Sequence, residues 1–337
     1  MLLRREIMNI LVVGGAGYIG SHVVKQLVDT EEHHVVVLDN LQTGHLNAVA
    51  QSATFVEGNV KDKTLLRELF TATPFDVVFH FAANSSVEES MKDPLVYFDN
   101  NVAGLITLLE VMNEFSVKDI IFSSTAAVYG DTSEQVITEA ADIFPKNPYG
   151  ESKRMMEKII QWCHSAYRIN YVVLRYFNVA GADLSGMIGE DHQPETHLIP
   201  IVLEVPLGKR EFITIFGNDY DTKDGTTVRD YVHVVDLAEA HLLAMDYLLN
   251  GNDSTIFNVG SSVGFSTLEI IQKVEEHTQK KIPIRYGQRR AGDPHSLIAS
   301  SKKIEALLGW KPKYTNLDSI IDSAWKWHQD HPDGYHS

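Results

Sequence analysis

A tyrosine and a lysine stand four residues apart in the stretch NPYGESKRMMEKII, which runs from residue 147 to residue 160 and has the pattern of an opening helix. Positions i and i+4 lie on one helix face, so Tyr149 and Lys153 would be presented side by side. An adjacent ammonium favours the phenolate and so lowers the phenol pKa from its ordinary value of about 10. The pair could serve as a general base, although such a pattern in isolation is most often an ordinary surface pair.

Hydroxyl side chains end the strand that is predicted just before this helix. Ser123, Ser124 and Thr125 follow the apolar run DIIF. They would lie at the carboxyl edge of a parallel sheet, where open α/β folds bind their ligands. A hydroxyl, a phenol and a lysine beside one nicotinamide ring would form a constellation for proton transfer.

A glycine-rich turn supplies the reason to expect a nicotinamide cofactor. In VVGGAGYIGSH, Gly14, Gly17 and Gly20 follow the first predicted strand and begin the first helix, a context that suits a dinucleotide pyrophosphate at the helix N-terminus. Asp39 ends the second predicted strand about 20 residues further on, where a carboxylate binds ribose hydroxyls. Because that carboxylate would repel a 2′-phosphate, we expect NAD rather than NADP.

Short apolar runs alternate with helical patterns through the first half of the chain, which predicts an α/β fold with a Rossmann-type doubly wound parallel sheet. The predicted strands are 9–13, 34–39, 53–58, 76–82, 119–124 and 171–177. The predicted helices are 18–30, 62–72, 94–115 and 149–168.

The alternation is lost after Asn178, in a stretch rich in glycine, proline and acidic residues. Beyond it we predict helices at 235–249 and 266–277, the second with a Ser266–Glu269 capping box, and a buried strand at 255–260. We therefore expect two domains. The NAD-binding domain would comprise residues 8–178 and about 232–260, and a smaller mixed α/β domain for the substrate would comprise about 179–231 and 261–333.

Composition excludes several classes of partner. The chain has 337 residues and a net charge of −16, which argues against nucleic acid and anionic membranes, since both need a basic face. The single cysteine, Cys163, cannot form an internal disulfide, which fits the cytoplasm. No apolar run approaches a membrane span, and the N-terminal segment is not a secretory signal. We expect residues 1–7 to be loose, and we expect no metal site.

Six motifs together resemble the extended short-chain dehydrogenase/reductase family and, within it, the UDP-glucose 4-epimerases (UDP-galactose 4-epimerases). The motifs are GGAGYIGS, LDN, SSTAAVYG, NPYGESK, LRYFNVAGA and GNDYDTKDGTTVRDYVHVVDLA. The last motif is much more specific than the glycine turn, and the likeness covers nearly the whole chain.

The resemblance implies a Ser/Thr–Tyr–Lys catalytic set at Thr125, Tyr149 and Lys153. The implied NAD contacts are Gly14, Gly17, Tyr18, Ile19, Asp39, Asn40, Asn59, Val60, Phe81, Ala82, Asn100 and Lys153, with Tyr176 near the nicotinamide. The implied nucleotide-sugar contacts are Asn178, His197, Leu198, Phe216, Arg229, Arg290 and Asp293.

The activity that this resemblance implies is reversible epimerisation of UDP-glucose and UDP-galactose at C4. Hydride would pass from the sugar C4 to tightly bound NAD, and the resulting 4-keto sugar would turn over in the site and take the hydride back on its other face. Thr125 stands where many relatives have serine, which keeps the hydroxyl, and His197 occupies a position that is often asparagine.

Three alternatives stay open at this point. A 4,6-dehydratase would carry an Asp-Glu pair after the strand-end threonine, where this chain has Ala126 and Ala127. An epimerase of another UDP-sugar, UDP-glucuronate or UDP-N-acetylglucosamine, shares the fold and the catalytic set. A non-catalytic NAD sensor would not need an intact catalytic set.

Two further expectations concern substrate choice and assembly. In the family, a residue shortly after Asp293 walls the pocket beside the sugar 2-substituent, and this wall falls on Leu297. Because leucine is intermediate in size, we expect plain UDP-hexoses as main substrates and weaker turnover of their N-acetyl derivatives. Helices 94–115 and 149–168 carry wide apolar stripes, which predict a homodimer with a four-helix contact.

Overall fold

The computed structural model describes residues 7–30, 33–130, 132, 134–290 and 294–336. The chain forms two compact units. The first comprises Met1–Gly130, Pro145–Arg175 and Ala238–Phe257, and the second comprises Asp131–Phe144, Tyr176–Leu237 and Asn258–Ser337.

The described residues form strands and helices that alternate in the first half of the chain. The strands are β1 Met8–Val13, β2 His33–Asp39, β3 Thr54–Glu57, β4 Val77–His80, β5 Asp119–Thr125, β6 Asn170–Tyr176, β7 Asn178–Ala180, β8 Ile213–Phe216, β9 Val228–His233, β10 Thr255–Val259, β11 Gly264–Ser266, β12 Ile284–Gly287 and β13 Ser296–Leu297. The α-helices are α1 Tyr18–Asp29, α2 Lys63–Ala72, α3 Val87–Lys92, α4 Pro94–Tyr97, α5 Gly104–Glu114, α6 Pro148–Tyr167, α7 Leu198–Glu204, α8 Val234–Leu249, α9 Thr267–Thr278, α10 Lys302–Leu308 and α11 Leu317–Asp330.

A seven-stranded sheet in the order β3-β2-β1-β4-β5-β6-β10 is the centre of the first unit. The ladders between β3, β2, β1, β4 and β5 are parallel, as the continuous apolar runs predict for strands that are covered on both faces. The order 3-2-1-4-5-6 is that of the Rossmann fold, so the predicted fold class is confirmed.

The segment 94–114 differs from the single helix that its pattern predicts. A π-helical stretch, Phe98–Ala103, separates α4 from α5. Such stretches occur mostly as single-turn interruptions and often at functional sites. This one contains Asn100, which the resemblance places at the cofactor.

The same segment has the length and composition of a membrane span, although the sequence analysis expects no such run. Pro94–Glu114 passes a test of length and composition for a span, with a mean hydropathy of 1.2. Half of it is buried inside the first unit, where Leu105, Leu108 and Met112 belong to the core. The core helices of soluble proteins pass the same test, so the apolar character is explained by this packing.

The second unit is built round β9, which pairs with three strands. It is parallel to β7 and β13 and antiparallel to β11, and β8 and β12 form a separate parallel pair. Helices α7, α9 and α11 contribute to its core, together with Tyr231 of β9.

The segment 131–144, which the sequence reading assigned to the first domain, belongs to the second unit. Ile137 forms a parallel bridge with Ala299, and the Glu139 carboxylate accepts a hydrogen bond from the backbone N–H of Asn258 at 2.8 Å. These partners lie more than a hundred residues away in the chain, so no local pattern could have revealed them.

Candidate active site

Helix α6 begins at the NPYG motif because its first residues cap it. The Asn147 side chain accepts a hydrogen bond from Gly150 N at 2.8 Å, and Pro148 occupies the first turn, where its missing N–H has no cost. The cap therefore fixes Tyr149 in the first turn of α6 and Lys153 one turn later.

Tyr149 is buried, with 9% of its surface exposed, and its phenol lies close enough to the Thr125 hydroxyl at the end of β5 to be influenced by it. The Thr125 hydroxyl oxygen accepts Ala127 N at 3.1 Å. Burial raises the pKa of the Tyr149 phenol, and the Thr125 hydroxyl opposes that rise. The downward shift predicted from the sequence depends on Lys153 and the positive nicotinamide ring together. The protein's own groups shift the pKa upward, because the desolvation of the phenol is the largest of their effects.

Lys153 is almost fully buried on the same helix. Its Nζ donates to the Ser123 carbonyl oxygen at 2.8 Å and lies 5.1 Å from the centre of the Phe122 ring. Burial lowers the pKa of the Lys153 ammonium to about 7, against the opposing charge of Glu157. The lysine is thus held at the end of β5, where it can give or withhold a positive charge near neutral pH.

A buried ion pair joins α6 to β6. The sequence analysis does not predict it. The Arg175 guanidinium donates to both oxygens of Glu157, at 2.9 and 2.6 Å, and a third hydrogen bond joins it to the Tyr129 hydroxyl at 3.0 Å. Ser124 donates to the same carboxylate at 2.5 Å. The signal was an arginine inside the apolar run YVVLRYF, because a buried charge needs a partner.

A second buried contact joins α6 to the π-helical stretch. The Asn101 side-chain amide donates to Ser152 Oγ at 2.9 Å and to the Asn84 carbonyl at 3.1 Å, while its oxygen accepts Asn84 N at 2.8 Å. Asn100, the preceding residue, donates to Asn84 Oδ1 at 3.3 Å. The segment after β4 and helix α6 are therefore fixed against each other.

The three glycines of the first turn have different surroundings. A Cβ at Gly14, where φ is +83°, would lie 2.4 Å from Ala82 N, and one at Gly20 would lie 2.2 Å from Gly14 O. At Gly17 the nearest atom would be 3.5 Å away, which is ordinary contact. Packing within the protein therefore explains Gly14 and Gly20. Packing within the protein does not explain Gly17, which lies at the N-terminus of α1.

Asp39 lies at the end of β2 and is bonded to this turn. Its Oδ2 accepts Ala16 N at 3.0 Å, and its Oδ1 accepts Leu41 N at 2.9 Å. Burial raises the pKa of the carboxyl group, and these backbone hydrogen bonds oppose the rise. Each oxygen keeps a further lone pair for a ribose hydroxyl.

The other predicted cofactor residues of the first unit follow the carboxyl ends of its strands or lie near them. Asn40 follows β2, Asn59 and Val60 follow β3, and Phe81 and Ala82 follow β4, whereas Tyr18 and Ile19 begin α1. Tyr176 ends β6 and falls in the second unit. The carboxyl edge is where doubly wound sheets bind dinucleotides, so the strand ends gather these residues as the resemblance expects.

Four of the predicted substrate residues of the second unit form two neighbouring pairs, and a fifth, Asn178, lies beside a residue of the adjacent strand. The Arg290 guanidinium stacks on the Phe216 ring with 4.1 Å between the guanidinium carbon and the ring centre. Leu297 and Arg229 are register partners in β13 and β9. Asn178 hydrogen-bonds Tyr231, its register partner on β9. Asp293 lies outside the described residues, as do residues 1–6.

His197 and Leu198 lie at the start of α7, but the His197 imidazole faces two carboxylates rather than standing free. Its Nδ1 is 2.9 Å from Glu190 Oε1 and 3.0 Å from Glu195 Oε1. Burial would lower the pKa of His197, but these two charges outweigh it and raise the pKa to about 11. The sequence does not predict this cluster, because its members lie in a loop and follow no helical spacing.

The chain matches known proteins along nearly its whole length. The family model described as GDP-mannose 4,6 dehydratase matches residues 11–323. A UDP-glucose 4-epimerase from Lacticaseibacillus casei is 57% identical over 328 residues, which cover 97% of this chain and 99% of that protein.

Solved structures agree with this likeness. A crystal structure of a UDP-glucose 4-epimerase is 52% identical, with a TM-score of 0.96, and the match covers 98% of this chain and 100% of that one. The Bifidobacterium longum UDP-glucose 4-epimerase, solved with NAD⁺ and UDP, is 36% identical with a TM-score of 0.92, covering 97% and 100%.

A Rossmann-type sheet, a glycine turn beside an acidic strand end and a Thr–Tyr–Lys set define the class of extended short-chain dehydrogenases/reductases. The 57% identity to the Lacticaseibacillus casei enzyme, the 52% identity to the first crystal structure and the near-complete coverage are more specific. The chain belongs to the UDP-glucose 4-epimerase family.

Proposed function

We propose that this chain interconverts UDP-glucose and UDP-galactose by reversible epimerisation at C4, with NAD as its cofactor. The observation that carries the proposal is the placement of the Tyr149 phenol near the Thr125 hydroxyl, with Lys153 one turn along the same helix. All three side chains lie in the unit that contains the glycine turn and Asp39.

Each catalytic side chain has one task in this reaction. Tyr149 takes the proton from the sugar 4-hydroxyl and returns it in the reverse step, as a general base and acid. Thr125 hydrogen-bonds the same oxygen, since its hydroxyl hydrogen is not used in accepting Ala127 N. Lys153 contributes hydrogen bonds to the nicotinamide ribose and a positive charge near the phenol. The cofactor supplies the hydride chemistry.

The first unit supplies the groups for the cofactor. Gly17 leaves room for the pyrophosphate at the start of α1, and Asp39 accepts hydrogen bonds from the adenosine ribose. The buried Asp39 carboxylate disfavours a 2′-phosphate, so the preferred cofactor is NAD rather than NADP.

The second unit supplies the groups for the UDP handle. Arg229 and Arg290 provide forked, permanently charged donors that suit a pyrophosphate. Phe216 offers an apolar ring beside Arg290. Asn178 and Leu198 contribute further contacts, and Leu297 bounds the space for the sugar 2-substituent. His197 contributes through the position of its backbone at the start of α7.

A dehydratase reaction is not favoured, although the matching family model has a dehydratase description. Ala126 and Ala127 follow the strand-end Thr125 in a short 3₁₀ turn, and neither has an acidic group to protonate a leaving hydroxyl. Epimerisation of UDP-N-acetylglucosamine or UDP-glucuronate is the alternative within the same chemistry. A non-catalytic NAD sensor would not explain the arrangement of Thr125, Tyr149 and Lys153.

We further propose a cytoplasmic homodimer that binds neither membrane nor nucleic acid. Leu95 and Trp162 are 75% and 74% exposed, and Ile106, Met155 and Tyr167 are also exposed on the same group of helices. The rest of the predicted stripe, such as Leu109 and Met156, is buried in the unit's own core, so the dimer surface would be narrower than the sequence suggests. Sedimentation as a monomer at micromolar concentration would contradict the dimer.

The activity is tested by incubating the purified protein with UDP-galactose, without added NAD, and following UDP-glucose by NMR. Tyr149→Phe should retain NAD and lose about 10²–10⁴-fold in turnover. The control is Tyr286→Phe, which removes the hydroxyl of a tyrosine that is 53% exposed in the second unit. Near-normal turnover by Tyr149→Phe would show that the base is another group.

A further inference from the structure

Two histidines and two glutamates converge in the loop EDHQPETH, residues 190–197 of the second unit. His197 Nδ1 is 2.9 Å from Glu190 Oε1 and 3.0 Å from Glu195 Oε1. His192 Nδ1 is 3.3 Å from Glu190 Oε1 and 3.7 Å from Glu195 Oε2. Nitrogen and oxygen thus alternate round a ring of four side chains, and one ligand atom from each lies within 4.8 Å of all the others.

The spacing of these atoms matches a tetrahedral zinc site. Zinc binds histidine nitrogen and carboxylate oxygen at about 2.1 Å, so two ligands of one tetrahedron lie about 3.4 Å apart. The separations of His197 Nδ1 and His192 Nδ1 from Glu190 Oε1, 2.9 and 3.3 Å, and of His192 Nδ1 from Glu195 Oε2, 3.7 Å, lie on both sides of that value.

The two carboxylates of the cluster are largely buried and face the two histidines, whose protons a metal ion would displace. The Glu190 side chain is 4% exposed and that of Glu195 10%. Among the described residues, neither carboxylate forms an ion pair with a lysine or an arginine; their cationic partners are His192 and His197. Buried carboxylates are normally paired with a charge or bound to a metal.

The loop is held in place by contacts that leave the ligand atoms in the centre. The indole of Trp327 donates to the Glu190 carbonyl at 3.1 Å, and the Tyr335 hydroxyl bonds both to Gly189 N and to Gly189 O. Glu195 Oε1 accepts Thr196 N at 2.7 Å, which orients its carboxylate and leaves Oε2 for an ion. These contacts pre-organise the four side chains.

We propose that Glu190, His192, Glu195 and His197 bind one divalent transition-metal ion, with zinc as the best fit, as a structural site. Two imidazoles and two carboxylates complete a tetrahedron, so no position is left for catalysis. Soft sulfur ligands are absent from this set, and its nitrogen ligands disfavour Mg²⁺ and Ca²⁺.

The site lies directly before α7, whose first residue is Leu198. A bound ion would fix this helix start and hence the backbone at Leu198. This consequence for the nucleotide sugar rests on the proposed function, whereas metal binding itself does not.

The test is titration of untagged, chelator-treated protein with Zn²⁺ alone, followed by calorimetry and by metal analysis after gel filtration. We expect one Zn²⁺ per chain. We expect at least about a tenfold loss of affinity in Glu190→Gln and in His192→Ala. The matched controls Glu211→Gln and His295→Ala alter exposed residues of the same unit and should bind as the parent protein does. Cobalt should give the intense visible bands of a tetrahedral site in the parent and lose them in His192→Ala.

Any of three results would refute the proposed metal site. The parent protein could bind less than one Zn²⁺ per chain, or the parent and its four variants could bind Zn²⁺ equally well. The third result is Mg²⁺ binding as strong as Zn²⁺ binding. Because His192 is a quarter exposed, its variant should fold even if Glu190→Gln does not. Zinc should raise the Tm of the parent by several degrees and leave that of His192→Ala unchanged. Tyr149→Phe separates the two proposals, since it should lose turnover and keep its zinc.

Discussion

Removing the negative charge of Glu157 should lower the stability of the first unit and should also lower the pKa of Lys153. Glu157 is buried with Arg175, which is 2% exposed and donates to both of its oxygens. In Glu157→Gln the guanidinium would stay buried without a counter-charge, a change that costs about 3–5 kcal/mol of unfolding free energy. Glu157 also opposes the burial that lowers the Lys153 pKa to about 7. Its loss should lower that pKa further and leave more neutral lysine at pH 7.

The assay is urea unfolding of the parent, Glu157→Gln, and the double variant Glu157→Leu/Arg175→Met. The double variant replaces the pair with apolar groups and should recover most of the lost stability. Glu151→Gln is the matched control on the same helix, because its pair with Arg154 is exposed and should contribute about 0–1 kcal/mol. A loss in Glu157→Gln no larger than in Glu151→Gln would refute the reasoning.

Three other predictions concern the ligand sites. Asp39→Ala should purify with less NAD than the parent, measured by absorbance after denaturation, and equal NAD content would contradict the ribose assignment. Gly20→Ala should cost about 1–3 kcal/mol of stability, because its Cβ would meet Gly14 O. Gly17→Ala, which has room for a Cβ, should fold normally and retain less NAD. Normal NAD retention in Gly17→Ala would argue against a pyrophosphate at this turn. Leu297→Tyr should suppress turnover of N-acetyl substrates relative to plain hexoses by about 1–3 kcal/mol, and an unchanged ratio would mean that Leu297 is not the wall.

The fold of the first unit could be predicted because its elements are signalled locally. The run HVVVLD has four consecutive apolar residues, 35–38, as a strand covered on both faces requires, and β2 begins and ends within one residue of that prediction. Caps also carry local information, and the predicted Ser266–Glu269 capping box is present at α9. By contrast, the π-helical turn at Phe98–Ala103 has no local signal, since its sequence continues a helical pattern.

Some residues of the candidate site could likewise be predicted from the sequence, and others could not. Thr125, Tyr149 and Asp39 stand at strand ends or in a helix's first turn, so their positions follow from element boundaries. The Glu157–Arg175 pair joins residues 18 apart on different elements, and Leu297 is the register partner of Arg229, which lies 68 residues earlier in the chain. Such contacts depend on tertiary packing, which a linear pattern does not encode.

The direction of the Tyr149 pKa shows why the catalytic set must be considered as a whole. The protein's own groups raise that pKa, since burial outweighs the effect of Thr125, and they lower the pKa of the neighbouring Lys153 to about 7. Burial therefore disfavours both the phenolate and the ammonium. Each charged form would stabilise the other, and a positive nicotinamide ring would favour the phenolate further. We infer that a bound oxidised cofactor would make the phenolate available as a base at neutral pH. Tyr149 would then hold the proton as the neutral phenol that burial favours, while the cofactor would supply the hydride chemistry.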